Sequence, residues 1–468
     1  MRRIIPICFI IALIILAPII PNFGDHLIYP AHSEFSDLTI THWPAFAYAR
    51  DEIVTTGQVP MWRTSILSGT PFAADPLAGL FYPPHWLALI LPLPITFNLL
   101  MLLHLALAAA SMYAMMRRWN VSRVGSIVSA IAYAAAPKVI AHMGVGHVTL
   151  VEAWAWLPVV IAGLNPLNPD DIRNRLHAAQ RPVIRGVGWR VGSGLALAMC
   201  LLADARIAIY AAALAVTYLI VQHARRDRST WLMIIMRVMI IVVVAVSVSA
   251  MSWLPTLSMT GGTARASITA EEAGTQSLDP IYFLGIVIAD RSGAAERTTY
   301  FGIVILMLAL VGVKLFYRRA SRRVWWLIGV IIIGAIVALG LNTPLYRVWL
   351  ALPGMTLLRV PARAWFIVTF AIAALAGMGT QGLIEWSGQA KPRSIFVAII
   401  VAFAALVFGA IGALGSGQIS FVAIALWIPI ACLLLILRLK HKLSPDRFAI
   451  LIVALIAIDL ISIDWALY

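Results

Sequence analysis

Residues 21–86 read PNFGDHLIYPAHSEFSDLTITHWPAFAYARDEIVTTGQVPMWRTSILSGTPFAADPLAGLFYPPHW and lie between the first and second strongly apolar segments of a 468-residue chain. The chain is 62% hydrophobic and 12% charged, yet this stretch holds six acids (Asp25, Glu34, Asp37, Asp51, Glu52, Asp75), two arginines and four histidines. A protein surrounded by lipid keeps such residues together where water, a substrate or a metal must be met. The stretch therefore reads as a loop that carries the chemistry, held against lipid by the apolar segments around it.

Those segments are runs of about 17 to 25 residues, the length of spanning helices, and the mean hydropathy is +0.92. Membrane barrels would show alternating segments of about ten residues, which are absent. The fold class is all-α: a polytopic integral membrane protein with about thirteen transmembrane helices, forming a single domain over 1–468. Residues 1–21 have a basic start and a long apolar run with no A-x-A cleavage site, and read as a retained first helix. The further spans are expected at 95–116, 121–137, 147–164, 189–203, 205–222, 231–255, 299–316, 323–341, 364–385, 394–413, 419–437 and 446–464. Of these, 189–203 is short for a bilayer crossing. Cys8, Cys200 and Cys432 sit singly in apolar runs, which indicates neither a disulfide framework nor a zinc site.

The basic residues test this span count, because a wrong count would scatter them between alternate loops. With the N-terminus inside, 25 of the 35 Lys and Arg fall on the cytoplasmic side, in 117–123, 165–190, 223–228, 317–323, 389–393 and 438–447 together with Arg2, Arg3, Arg237 and Lys314. Five of the 20 acids fall inside, 14 lie at or near the outer face, and Asp459 lies in the last span. The formal net charge of +15 is thus a signal of topology and does not imply nucleic acid. Three outer regions follow. The 22–94 loop has an aromatic and apolar content that predicts short amphipathic helices along the membrane surface. The 256–298 loop, rich in Gly, Thr, Ser and acids, reads as mobile. The 342–363 segment is too broken by Pro and Gly for a plain helix, and it ends in two arginines. No fixed-period repeat supports a transporter built from two copies.

The stretch FSDLTITHWPAFAYARDEIVTTGQVPMWRTSILSGTPFAADPLAGLFYPPHWL resembles the YfhO family of bacterial membrane proteins, of the GT-C type of glycosyltransferases. The family pattern lies at Asp37-Leu38, Trp43-Pro44, Gly57 to Trp62, Gly69 to Pro76 and Phe81 to Pro84. The likeness continues through SRVGSIVSAIAYAAAPKVIAHMGVGHVTLVEAWAWLPVV, LLADARIAIY and LRVPARAWFIVTFAIAALAGMG, almost the whole chain. Two features depart from it: Ala203-Asp204-Ala205 stands where a Gly-His-Pro type turn is expected, and no large extracytoplasmic region follows the last helices before Tyr468. The resemblance implies a GT-C-like sugar transferase of the bacterial cell membrane, with its active site at the outer face. It also implies a polyprenyl-phosphate-linked sugar as donor, a glycan, glycolipid or protein as extracytoplasmic acceptor, and an essential acid in the first outer loop.

Inverting glycosyl transfer needs a carboxylate to take the acceptor hydroxyl's proton while the phosphate leaves from the opposite side. Asp37 is the expected base, and its alternative is a helix cap ahead of LTITHWPAFAYARDEI. Asp75 is the second catalytic carboxylate, and its alternative is an Asp-Pro turn. Glu152, His147 and His42 are assigned to substrate or acceptor binding, and the plainer account of Glu152 is a structural pair with Lys138. Arg359 and Arg363, four residues apart, would share one face of a helix and clamp the donor phosphate. Arginines at the outer surface also reach lipid headgroups without a specific role. Arg206 joins the donor-phosphate set, with an internal ion pair to Asp204 as its alternative. The histidines His26, His32, His42 and His85 beside acids admit a divalent cation, but their spacing fits no metal motif and no metal ligand is assigned. Two other classes are compatible with the sequence: a flippase for lipid-linked saccharides and a non-catalytic envelope-assembly protein. Transporters place ionisable groups near mid-membrane and on both sides, whereas these acids crowd one face, which favours an enzyme.

Overall fold

The structure, a computed structural model, describes residues 36–164, 182–223, 228–263, 267–290, 292, 294–318, 320–352, 355–388, 392–416 and 419–467. The expected first span at 1–21, His26 and His32, and the basic stretches 165–181, 224–227 and 389–391 lie outside the described residues. The helices in chain order are α1 (Trp43–Thr56), α2 (Leu93–Arg118), α3 (Arg123–Ala134), α4 (Pro137–Gly144), α5 (Val148–Ala162), α6 (Pro182–Ala203), α7 (Ala205–His223) and α8 (Arg228–Thr260). They continue as α9 (Ala270–Ala273), α10 (Ile303–Phe316), α11 (Ser321–Leu339), α12 (Leu345–Leu350), α13 (Trp365–Ile384), α14 (Pro392–Ser416), α15 (Ile419–Leu439) and α16 (Pro445–Leu467). Among the described residues there is no strand, only one antiparallel bridge between Arg63 and Thr70. The all-α fold of a multi-pass membrane protein is thus observed. Eight helical stretches among the described residues are long and apolar enough to cross a membrane, and Val148–Ala162, Gly188–Ala203 and Ile303–Phe316 are shorter apolar helices.

The chain forms two compact units, Met1–Trp119 with Val145–Ile268, and Asn120–Gly144 with Thr269–Tyr468. In the first, α5 is the buried centre, packed by α2, α6 and α7. Side-chain hydrogen bonds tie its neighbours to it where lipid offers no partner: Ser111 Oγ donates to Ala155 O at 2.9 Å and Ser193 Oγ to Val160 O at 3.2 Å. Arg118, in the last turn of α2, donates from Nε to Ala162 O at 2.6 Å and answers the carbonyl end of α5. In the second unit α13 is the centre, buried from Trp365 to Thr380. Gly377 lies against the backbone of Gly125 in α3, and Gly379 against Leu308 in α10, so a Cβ at either site would collide with backbone. Small residues that let helices approach closely are the usual device for packing in lipid.

The span expected at 121–137 falls within the apolar helical stretch Arg123–Gly144, which breaks at Ala135-Ala136, where Pro137 starts α4. The 256–298 region, expected to be mobile, carries elements of its own among the described residues. Its first residues extend α8 to Thr260. Thr269 and Glu272 form a reciprocal capping box at the start of α9, and Leu278 N donates to Ala338 O at 2.9 Å.

Candidate active site

The site begins with a close approach of two backbones in the first unit. Gly146, at φ +81°, lies against the backbone nitrogen of Leu38, where a Cβ would not fit, and Asp37 N donates to Val145 O at 3.2 Å. This brings Asp37 to His147, the residue preceding the first turn of α5, with His147 Nε2 3.1 Å from Asp37 Oδ2. The carboxylate is 55% exposed and the imidazole 16%, so the acid is the member of the pair that an incoming molecule can reach. The helix-cap alternative for Asp37 is not what the structure shows. Its side chain makes no cap hydrogen bond, and Ser36 Oγ accepts from Thr39 N at 3.2 Å instead.

Five residues further on, Glu152 is fully buried in α5 and its Oε2 lies 2.7 Å from His85 Nε2. The other ring nitrogen, His85 Nδ1, lies 3.0 Å from Gly79 O. A carbonyl can only accept, so Nδ1 carries a proton, and a single further proton is shared between Nε2 and the Glu152 carboxyl. Gly79, at φ +59°, has its Cβ position filled by the His85 ring. The glycine of DPLAGLFYPPH thus seats the histidine that meets Glu152. Among the described residues, Glu152 Oε1 is buried without a hydrogen-bond partner. Lys138, the structural partner anticipated for Glu152, lies in the second unit, in the cluster described below.

Three more buried groups complete this layer. His42 donates from Nδ1 to Leu77 O at 3.2 Å. Burial lowers its pKa to about 4, against an opposing pull from Glu152, so the ring is neutral at pH 7. Trp156 Nε1 donates to Tyr82 Oη at 2.9 Å, Tyr82 donates to His104 Nε2 at 2.6 Å, and His104 Nδ1 donates to Leu100 O at 2.6 Å. Every donor in that chain meets an acceptor. Burial, and after it Glu152, pushes the Tyr82 phenol well above its ordinary range, which keeps it a donor. Asp75, in contrast, is exposed, and its Oδ1 accepts from Leu77 N at 2.9 Å in the turn that its Asp-Pro pair favours. Arg206 is committed to Asp204 at the start of α7, with Nε 2.9 Å from Oδ1, as its ion-pair alternative foresaw.

In the second unit, Arg363 Nε donates to Glu296 Oε1 at 2.8 Å. Lys138 donates from Nζ to Ala295 O at 2.9 Å and Glu296 O at 3.0 Å, and its Nζ lies 3.8 Å from Glu296 Oε2. His142, one turn after Lys138 on α4, has Nε2 3.5 Å from Glu296 Oε2. Arg359 and Arg363 do not share a helical face. Val360 between them is left-handed at φ 64°, and only Arg363 lies in the short 3-10 turn Pro361–Ala364. Arg363 is buried and Arg359 exposed. A β-branched residue at positive φ is strained by roughly 1–3 kcal/mol and is held there by its surroundings.

The structure therefore joins Asp37 to His147 and puts Glu152 and His42 into the interior behind the loop. Sequence reasoning did not single out Glu296, His142, Tyr82 or His104, and it read His85 only as one of four histidines. The i, i+4 pair Lys138 and His142 on an apolar helix was a usable signal. Glu296 had none, since nothing in AAER separates it from the other acids of the loops.

No protein-family model matches the sequence, and no curated protein matches it. Among solved structures, the chain is similar to ArnT from Cupriavidus metallidurans bound to undecaprenyl phosphate, with TM-score 0.50 and 15% identity over 100% of this chain and 76% of that one. The apo state of the same ArnT gives TM-score 0.46 and 17% identity over 90% of this chain and 70% of that one. The apo oligosaccharyltransferase of Archaeoglobus fulgidus gives TM-score 0.48 and 13% identity over 97% and 56%. The first of these shows that the chain has the fold of ArnT, in line with the GT-C-like architecture expected above.

Proposed function

We propose that this protein is a GT-C type glycosyltransferase of the YfhO kind, which moves a sugar from a polyprenyl-phosphate donor to an extracytoplasmic acceptor. The observation that carries the reading is the exposed Asp37 carboxylate held by His147, on the loop where the family resemblance leads one to expect an essential acid. The ArnT of the same fold was crystallised with undecaprenyl phosphate, a polyprenyl phosphate, which supports a lipid-linked donor. In this mechanism Asp37 takes the proton of the acceptor hydroxyl as that oxygen bonds to the anomeric carbon. The bond to the phosphate oxygen breaks on the opposite face, and inversion follows. His147 donates a hydrogen bond to Asp37 and fixes its orientation. Glu152 and His42, being buried, act by positioning the loop, and Asp75 is the exposed acid that contacts substrate. In the second unit the accessible guanidinium of Arg359 is suited to a phosphate, whereas Arg363 is held by Glu296. Arg206, engaged with Asp204, has a structural part.

The test is donor turnover by the purified protein in lipid nanodiscs. Polyprenyl-phosphate-linked sugars of several kinds are supplied, and the released polyprenyl phosphate is measured by mass spectrometry. Release from one donor class, dependent on the protein, is expected. A donor that crosses the bilayer without cleavage would favour the flippase reading.

A further inference from the structure

We propose that a cavity of about 300 Å³ in the first unit, between the 63–76 loop and the last turns of α8, is a saccharide subsite for one neutral hexose unit. Its polar lining includes Arg63, Asp75, Thr256 and Thr260. Arg63 donates from Nε to Ser65 Oγ at 3.3 Å and lies 5.2 Å over the Tyr48 ring, and its remaining N–H groups make no hydrogen bond among the described residues. Asp75 uses one oxygen on Leu77 N, and no ion pair joins it to Arg63 among the described residues. A cation and an anion thus line one cavity without neutralising each other. Thr256 Oγ1 gives its proton to Ala74 O or Ser252 O, at 3.0 and 2.9 Å, and Thr260 Oγ1 donates to Thr256 O at 2.7 Å. With their protons committed, both hydroxyls offer only lone pairs to a ligand.

This arrangement selects by chemistry. A phosphate, anionic and mainly an acceptor, would meet the Asp75 carboxylate and the threonine lone pairs. An ammonium would meet Arg63. A purely apolar ligand would leave both charges without partners. A hydroxyl donates and accepts at once, so adjacent hydroxyls of a sugar satisfy Arg63 on one side and Asp75 or a threonine on the other. Phe72 and Met259 complete the lining with apolar surface for the C–H face of a pyranose ring. The volume is at the lower end for a ligand pocket and suits a single ring. That this saccharide is part of the acceptor rests on the glycosyl-transfer reading, whereas its binding does not.

The experiment uses the full chain in nanodiscs, with methyl glycosides of the common hexoses as probes in saturation-transfer NMR and inorganic phosphate as competitor. At least one methyl hexoside should bind, and phosphate should not displace it. Thr260→Phe, which fills the cavity, should weaken binding about tenfold or more. Thr260→Val, which keeps the shape but removes the lone pairs, should weaken it about three- to tenfold. The proposal is overturned if no probe binds, if phosphate displaces the hexoside, or if Thr260→Phe binds normally while unfolding at the wild-type temperature. Where Thr260→Phe does not fold, unchanged affinity in Thr260→Val overturns it. Hexoside binding without any donor turnover would count against the transferase reading and leave the subsite standing.

Discussion

Among single residues, exposed groups such as Asp37 can meet a substrate, and buried groups such as Glu152 and His42 pack behind the loop. Glu152 is the clearest of the second kind. Removing one partner of a buried pair leaves the other uncompensated at about 3–5 kcal/mol, so Glu152→Ala should lower stability by that order. Glu152→Gln should be milder, because its amide can donate to the lone pair of a neutral His85. Thermal unfolding of the two variants checks this, and equal losses would mean that the proton shared with His85 is unimportant. His42 gives a pH test. Its folded pKa of about 4 lies below the ordinary 6.5, so the unfolded chain binds the extra proton between those values. Stability is fully present above pH 6.5 and is lost as pH falls towards 4, a swing of about 3 kcal/mol. Urea titrations at pH 7 and pH 4.5 should show the loss, and His42→Gln should flatten it. An unchanged pH dependence in that variant would assign the loss to another group. In the sequence the acids and histidines of the loop stood out by their rarity, but not their pairing. Asp37 with His147 and His85 with Glu152 are long-range partners, and no local spacing encodes such contacts.

At the scale of elements the helices were legible wherever an apolar run was bounded by charges, since that is the requirement for crossing lipid. Their ends were less legible: the span expected at 121–137 runs through the break at Ala135-Ala136, where Pro137 starts α4. The capping box at Thr269 and Glu272 was visible as T-x-x-E, but the surrounding Gly and Ser outweighed it in the reading of that loop as mobile. The turn at Gly146 links element to site. Gly57 and Gly146 both have positive φ, at 71° and 81°, but only Gly146 has a neighbour, Leu38, where a Cβ would go. Gly57→Ala should therefore cost about 1 kcal/mol and keep sugar transfer. Gly146→Ala should cost more and lower transfer by displacing Asp37 from His147. Unfolding and transfer assays on both proteins compare them, and equal effects would detach the turn from the site.

For the molecule as a whole, we propose from the basic residues an N-terminus inside, with 22–94 and 256–298 outside. In a cysteine-free background, single cysteines in those loops should react with an impermeant reagent in intact cells, and cysteines in 165–190 should not. Labelling of 165–190 would reverse the map and put the Asp37 loop on the wrong face. If this molecule moves a sugar with Asp37 as base, transfer from a polyprenyl-phosphate donor by purified Asp37→Asn protein, with donor binding assayed beside it, reports on that role. Asparagine keeps the shape and a hydrogen-bond acceptor for His147 but cannot take a proton. Transfer should fall by about 10² to 10⁴ while folding and donor binding persist. Near-normal transfer by Asp37→Asn would contradict the account.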